Sequence, residues 1–374
     1  MVSLARASLI YDWRRYAAAV FAITFAGLLV IVQLALLLGL FGTVSVAVDQ
    51  SDADIWLGYP KTQSVDLGRT IVNSSSLRAW MQPNVQKLER FAFVAGDLRR
   101  ADGVALSVFV YGIDTRPDGL AFAHKLTAGQ RQLLEQPYAM IIDAADQEKL
   151  AAEVGANLEI NGKRAQVVDV VSGIRGIGAI SLITSLSNLG RIAPEMSEAT
   201  TFYLLAVDKQ ADIRQVVADI QDTSTHKRYD VWTAPDLSAQ SQIYWLLESG
   251  VGIGTGFASL LALLVGIVIT SQTLNAAILA SLKEFAALRA LGISNASLRN
   301  VVFEQSFWLG LIGLSLTFVF TAGIAWLGDT YYIEMRFPWW LLLSVAVLIL
   351  AIALGSGLIA LRPLFKADPA NLLR

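Results

Sequence analysis

The chain has no cysteine and only two histidines in 374 residues. Without thiols there is no disulfide, no thiolate nucleophile and no lipoprotein anchor, so the fold rests on packing alone. His124 and His226 lie far apart in sequence, with no Asp or Glu at metal-ligand spacing beside them, and open no metal site. No Gly-x-Ser-x-Gly elbow occurs, and no catalytic constellation replaces it. The run from Ser172 to Gly178 is glycine-rich but lacks the lysine and the spacing of a phosphate loop, which makes it a bend. Charge is scarce too, at 16% Asp, Glu, Lys and Arg with a net of −2, and no basic cluster outside the membrane flanks suits a nucleic acid.

What is present is apolar. Hydrophobic residues make up 55% and mean hydropathy is +0.53, far above soluble averages. Four windows carry no charge over bilayer-spanning lengths: 17–42, 251–282, 307–327 and 338–361. The first is longer than the roughly 7–15 residues of a signal-peptide core, which argues for a retained helix. Arg6, Arg14 and Arg15 precede it, Lys283, Arg289 and Arg299 lie between the second and third, and Arg362, Lys366 and Arg374 follow the fourth. This distribution puts both termini in the cytoplasm and the long intervening segment outside. Residues 1–16, with Tyr11, Trp13 and Tyr16 among arginines, read as an interfacial helix.

Residues 43–248 are long enough for one or two subdomains. Two alternating runs flank Asn161-Gly162, a type I′ hairpin pattern. Residues 105–112, 138–143 and 202–207 read as strands, and 74–82, 147–154 and 213–220 as helices, an α+β domain. Residues 177–189 read either as an exposed apolar loop for a partner or a lipid, or as core or dimer packing. Asp52, Asp54 and Asp66 read as a solvated rim.

The membrane segments carry their own patterns. Gly250, Gly254, Ala258, Ala262, Gly266 and Thr270 recur every four residues, a small-residue stripe suited to close helix packing. Gln33 inside the first span and Glu304 at the start of the third (expected over 301–327) are candidate intramembrane polar sites. Between the second span, 251–280, and the third, residues 281–299 form a basic amphipathic helix and loop. Phe285, Leu288 and Leu291 share a face, Lys283, Glu284 and Arg289 lie elsewhere, and Gly292 suits a C-cap before Ser294 or Asn295 starts the next helix. A stiff helix between two spans suits a soluble partner that pushes on it.

At these residues the chain resembles the FtsX/MacB superfamily of ABC transporter permeases. The resemblance rests on the order one span, large domain, three spans (the last over 338–361), on Glu284, Leu288, Arg289, Ala290, Leu291 and Gly292, and on the tail 362–374 with Arg362-Pro363 and Asp368-Pro369-Ala370-Asn371-Leu372-Leu373-Arg374. The run 240–245 with its Tyr-Trp pair, together with 266–272 and 284–295, is most similar to the DevC type. The resemblance implies a type VII-like ABC permease of the bacterial inner membrane with four transmembrane helices and a MacB-like outer domain. It implies that Lys283, Glu284, Phe285, Leu288, Arg289, Ala290, Leu291 and Gly292 form a coupling helix seated on a separate ABC ATPase, which holds the ATP and Mg while this chain binds no cofactor. It also implies a homodimer, contact with lipids, a periplasmic adaptor of membrane-fusion type and an outer-membrane channel. Two roles follow: export of a lipid, glycolipid or other amphiphile, or mechanical control of an envelope hydrolase.

Overall fold

The structure, a computed structural model, describes residues 4–100, 102–280 and 293–360. It divides into a helical unit, Met1–Gly39 with Ile253–Arg374, and a large domain, Leu40–Gly252.

In the large domain, nine strands among the described residues join one mixed sheet: β1 (Ile55–Gly58), β2 (Val85–Arg99), β3 (Ala105–Ile113), β4 (Ala139–Asp143), β5 (Asn157–Ile160), β6 (Lys163–Val171), β7 (Ile180–Ser185), β8 (Phe202–Val207) and β9 (Asp230–Thr233). The organising element is β2. Its first half, Val85 to Phe91, pairs antiparallel with β8, and its second, Ala92 to Arg99, pairs with β3. The first half closes an antiparallel sheet in the order β2-β8-β1-β9. The second half belongs to a ring, β2-β3-β7-β4-β6-β5, that returns to β2 where Leu98 and Arg99 face Ile160 and Glu159. Two pairs in the ring, β3 with β7 and β4 with β6, are parallel.

Local chemistry explains several elements. Asn161 and Gly162 both take positive φ, 49° and 73°, so the β5–β6 hairpin turns as a type I′ pair requires. Helix Ile213–Ile220 follows β8 and starts where the Asp212 carboxylate accepts from the Arg214 and Gln215 amides. It lays Val216 and Ile220 over Ile55, Leu57, Leu205 and Val231. On the opposite face Trp56, fully enclosed, meets Phe91 and Phe202 edge-on at 5.4 and 5.5 Å, pairs worth about 0.5–1.5 kcal/mol each beyond burial.

Other segments depart from expectation. The helix expected over 74–82 shrinks to a 3-10 turn, Asn73–Ser75, and the five residues Ser76–Trp80. That expected over 147–154 is one turn, Gln147–Leu150, ended by Ala151 in the left-handed region. Residues 177–189 offer no exposed loop to a partner, since β7 is buried along its whole length between β3 and β4. Asp54 and Asp66 are not a solvated rim. Asp54 accepts from the Val207 amide at 2.8 Å and Asp66 from the Trp245 indole at 3.2 Å, and both are half-buried; Asp52 alone of the three is exposed.

Among the described residues of the chain, four helices are long and apolar enough to cross a membrane, with spans at Tyr16–Val44, Val251–Thr273, Ala296–Thr330 and Trp339–Gly357. A short helix, Leu4–Tyr11, precedes the first. The first, third and fourth spans share a core that includes Ile23, Ile31, Leu309, Val345 and Ile349. Glycines set their spacing. A Cβ on Gly27 would lie 2.5 Å from Ile349 and 2.8 Å from the Thr317 hydroxyl, and one on Gly313 would lie 2.5 Å from Ile23. At this crossing Thr24 Oγ1 donates to Gly313 O, and Thr317 Oγ1 to Thr24 O, both at 3.3 Å. Gly27→Val should therefore push the first span off the third and fourth and lower the thermal midpoint of the detergent-purified chain by several degrees, an overpacking cost of about 1–3 kcal/mol. Gly254→Val, with no neighbour near its Cβ, is the control and should leave the midpoint unchanged.

The small-residue stripe of the second span loses its first member. Gly250 has φ +79° and precedes the helix, because an α-helix cannot contain that conformation. Gly254 and Ala258 are exposed and Ala262 half-buried. Gly266 is buried, its Cβ position 3.1 Å from the Cβ of Ala26. Thr270 lies on the same helix, Val251–Ala280.

Candidate functional site

The coupling segment, Lys283, Glu284, Phe285, Leu288, Arg289, Ala290, Leu291 and Gly292, lies outside the described residues, as does the tail 362–374. Its C-terminal boundary is described. Ser294 is the N-cap of helix Asn295–Thr330, its hydroxyl accepting from the Ser297 amide at 3.2 Å. Ten residues into that helix Glu304 is half-buried, whereas the adjoining Gln305 and Ser306 are buried, with Gln305 Oε1 and Ser306 Oγ lacking hydrogen-bond partners. Gln33 sits half-buried in the first span. The structure thus distributes the candidate polar residues of the spans and does not gather them into one site.

What it does gather is the place where the chain enters and leaves the large domain. The incoming helical turn Val46–Asp49 lies against the outgoing helix Ala234–Ile243. Ser238 Oγ donates to Asp49 Oδ1 at 2.7 Å and Gln242 Nε2 to Ser45 Oγ at 2.9 Å, while Ser45 donates to Asp49 Oδ2 at 2.8 Å. One hydrogen-bonded set therefore joins both chain crossings. The outgoing helix starts at Thr233, whose hydroxyl accepts from the Asp236 amide with Pro235 in the first turn. It continues into a π-helical turn, Tyr244–Glu248, a rare form that is frequent at functional sites. That turn is tied back to residues 63–66: the Trp245 indole donates to Asp66, which also takes the Ser64 hydroxyl, and Gln63 Nε2 donates to Glu248 at 3.0 Å. The helix then breaks at Gly250. Sequence reading marked the Tyr-Trp pair but missed Ser45, Asp49, Ser238 and Gln242, because short polar residues at separate points carry no periodic signal.

The glycine-rich run after β6 has no room for a phosphate. Its Ile174 and Arg175 amides donate to the Asp143 carboxylate at 2.7 and 2.9 Å, and the Gly176 amide to Ser181 Oγ at 2.8 Å. A carboxylate of the chain itself fills the nest. Beside it Asp146 is fully enclosed, both oxygens without hydrogen bonds, and Arg175 Nε stands 3.6 Å away. Burial pushes its carboxyl above the usual range, with Arg175 opposing and Asp143 adding to the rise. A carboxyl raised on folding takes up protons, so its contribution to stability falls as pH climbs from about 4 through the raised value. Asp146→Asn should therefore raise the thermal midpoint of the purified chain at mildly alkaline pH, with the gain shrinking as pH falls toward 4. A loss of stability at alkaline pH would mean that pairing with Arg175 outweighs burial.

His124 and His226 are not brought together. His124 is exposed with Nδ1 3.3 Å from Asp49 O, and His226 lies in the loop before β9. Among the described residues no group of three or more His, Asp or Glu side chains is placed to hold a metal.

Comparison with known proteins agrees with this layout. The family model for the MacB-like periplasmic core domain matches residues 16–223, and that for the FtsX-like permease C-terminal region matches 256–369. None of the curated proteins matches the chain in sequence. Solved structures similar to it include the periplasmic region of MacB from Actinobacillus actinomycetemcomitans, at 10% identity and TM-score 0.37, covering 51% of this chain and 94% of that one. The extracellular domain of the noncanonic ABC-type transporter YknZ from Gram-positive bacteria is 12% identical with TM-score 0.35, covering 48% and 99%. A domain of a putative permease from Porphyromonas gingivalis is 8% identical with TM-score 0.34, covering 49% and 90%. At such scores the structural likeness carries no argument, and the assignment rests on the two sequence families, which meet the chain in the order of its spans and its mixed-sheet domain. The chain belongs to the FtsX/MacB superfamily of ABC transporter permeases, as a multi-pass membrane subunit of the type VII architecture.

Proposed function

We propose that this chain is the transmembrane half of an ATP-driven exporter of the DevC type, moving a lipid, glycolipid or other amphiphile through an adaptor-linked assembly. In this reading two copies pair and both termini face the cytoplasm. Residues 283–292 seat on a separate ATPase that binds ATP and Mg. The observation that carries the reading is the joint of Ser45, Asp49, Ser238 and Gln242. A large domain spliced between two helices and hydrogen-bonded at its single entry and exit is built to receive a displacement arriving along either one. A domain merely anchored to a membrane has no need of such a clasp.

The test is affinity purification of the tagged chain from its native membranes under gentle extraction, with mass spectrometry of the co-purifying proteins. Recovery of an ABC ATPase with a membrane-fusion adaptor is the expected result. An ATPase with an envelope hydrolase would replace export by mechanical control of that hydrolase. No ATPase would overturn the coupling reading.

A further inference from the structure

The large domain carries an open cleft of about 410 Å³ on the face that bears Leu88 and Tyr203. Its walls include Asn73, Ser76, Trp80, Leu88, Arg90 and Tyr203. Arg90 is half-buried there. Its Nε donates to Thr200 Oγ1 at 2.9 Å and its Nη2 to the Ala199 and Ser197 carbonyls at 2.9 and 3.3 Å, so the guanidinium is held rigidly by neutral acceptors. Among the described residues no carboxylate pairs with it. The two acids that also reach the cleft are already neutralised: Glu89 pairs with Lys87 at 2.8 Å and Asp114 with Arg116 at 2.8 Å. The wall therefore presents one uncompensated, prepositioned positive charge, an unusual state for a half-buried arginine.

Beside this charge the surface is apolar. Trp80 is 57% exposed, and Leu77, three residues before it on the same short helix, and Met81, which caps that helix, are 61% and 82% exposed. Val72, just before that helix, is 68% exposed. Four exposed large apolar side chains thus lie within ten residues, and Trp80, which lines the cleft, makes them its apolar lip. Tyr203 and Asn73 fix the floor, the tyrosine hydroxyl donating to Asn73 Oδ1 at 3.2 Å.

We propose that this cleft binds a single-chain anionic amphiphile, its carboxylate or phosphate head on Arg90 and its chain over Trp80 and the Leu77–Met81 lip. One uncompensated cation suits one anionic group, and an exposed tryptophan beside aliphatic residues suits an alkyl chain. The inference names a cargo class for the exporter reading and rests on it for transport, but the binding itself needs no ATPase.

The probe is palmitate carrying a diazirine and an alkyne, with the matching palmityl alcohol as its neutral twin. Both are applied to the full chain in phosphatidylcholine nanodiscs without ATPase, and the labelled peptides are mapped. Palmitate should label residues 72–81 more strongly than the alcohol does. Arg90→Gln should cut palmitate labelling about tenfold or more and leave alcohol labelling unchanged, the effect of losing one charge-assisted contact. Trp80→Ala, at an exposed position that leaves the fold intact, should weaken both. Competition by nanodisc phosphatidylglycerol would identify the bilayer as the source, and competition only by added lysophosphatidic acid a soluble one. Equal labelling by acid and alcohol, labelling confined to the spans, or competition by polyglutamate in place of both lipids would overturn the proposal. If Arg90→Gln does not fold, unchanged palmitate labelling in Trp80→Ala and Leu77→Asp overturns it alone. Failure of the co-purification leaves these outcomes intact, so the two readings fall separately.

Discussion

Leu288→Asp should strip the chain of its ATPase while leaving its insertion in the membrane unchanged, and Arg289→Glu should do nearly as much. In the run 281–292 the apolar positions Phe285, Leu288 and Leu291 fall three residues apart, which places them on one side of a helix. A short helix that presents such a side to a soluble partner buries its central apolar residue most deeply, and central residues carry most of an interface's energy. A carboxylate at Leu288 loses that burial and is itself desolvated. Together these cost about 4 kcal/mol or more, roughly a thousandfold in affinity. Arg289→Glu reverses a charge and acts first on the rate and salt dependence of association. ATPase recovery with the tagged variants, and ATP hydrolysis by the reconstituted complex, are the measurements. Both should fall to background for Leu288→Asp, and parental recovery for both variants would remove residues 283–292 from the coupling role.

How far the fold could be read from sequence depends on the range of the interactions that fix it. The hairpin at Asn161-Gly162, the pair Phe202–Val207 and Ile213–Ile220, and the four apolar spans rest on local signals: turn chemistry, an Asp212 cap and runs of uncharged residues. The double membership of β2 does not. Its first half carries apolar residues at every third position, Val85, Leu88 and Phe91, and its second opens on the unbroken apolar run Ala92–Ala95. Neither half shows the alternation that marks a strand, and the pairing with β8 and β3 is fixed by long-range register. Length misled at 147–154, where apolar spacing suggested two turns and the chain makes one. The stripe on the second span is shorter than its recurrence suggests, because a repeat of four shows which small side chains share a face and not where the helix begins, and Gly250 falls before it. The contacts that do bring backbones together run through Gly27 and Gly313, isolated glycines in otherwise bulky spans. The joint at Ser45, Asp49, Ser238 and Gln242 was invisible because each residue alone is an ordinary helix-end polar group.

Arg131→Met should destabilise the large domain as much as the loss of a buried aromatic side chain, at about 3–5 kcal/mol. A lone arginine in a short helix reads as solvent-facing, yet this one is 1% exposed. Helix Ala128–Leu133 is fixed at its start by a capping box between Thr127 and Gln130. From there the guanidinium reaches back, donating to Asp114 O at 2.8 Å, Gly119 O at 3.0 Å and Ala121 O. It threads so close to Gly119 that a Cβ there would stand 2.2 Å from Nη1. The chain between β3 and this helix has no ladder of its own. It is held by these three carbonyls, by Glu89, which accepts from the Leu120 amide at 2.7 Å, and by bonds to residues 50–52, where Leu120 O accepts from the Asp52 amide, the Phe122 amide donates to Ser51 Oγ and the His124 amide to Gln50 O. Two effects oppose each other. Burying a guanidinium is costly, burial lowers its pKa, and replacing buried charge by apolar volume is often neutral. That exchange is neutral only when the partners go as well, and here the enclosed carbonyls of Gly119 and Ala121 would stay behind at about 1–3 kcal/mol each, with the half-buried one of Asp114 beside them. Orphaned carbonyls should win. Arg131→Lys should recover only part of the loss, since a compact ammonium cannot fork across acceptors on both sides of the turn. Arg116→Ala removes a cation that is 55% exposed and should cost under about 1 kcal/mol. Unfolding midpoints of the purified chain rank the three variants, and limited proteolysis reports whether residues 114–127 open first. If Arg131→Met falls no further than Arg116→Ala, the loop holds its shape through the packing of Leu120 and Phe122 rather than through the arginine.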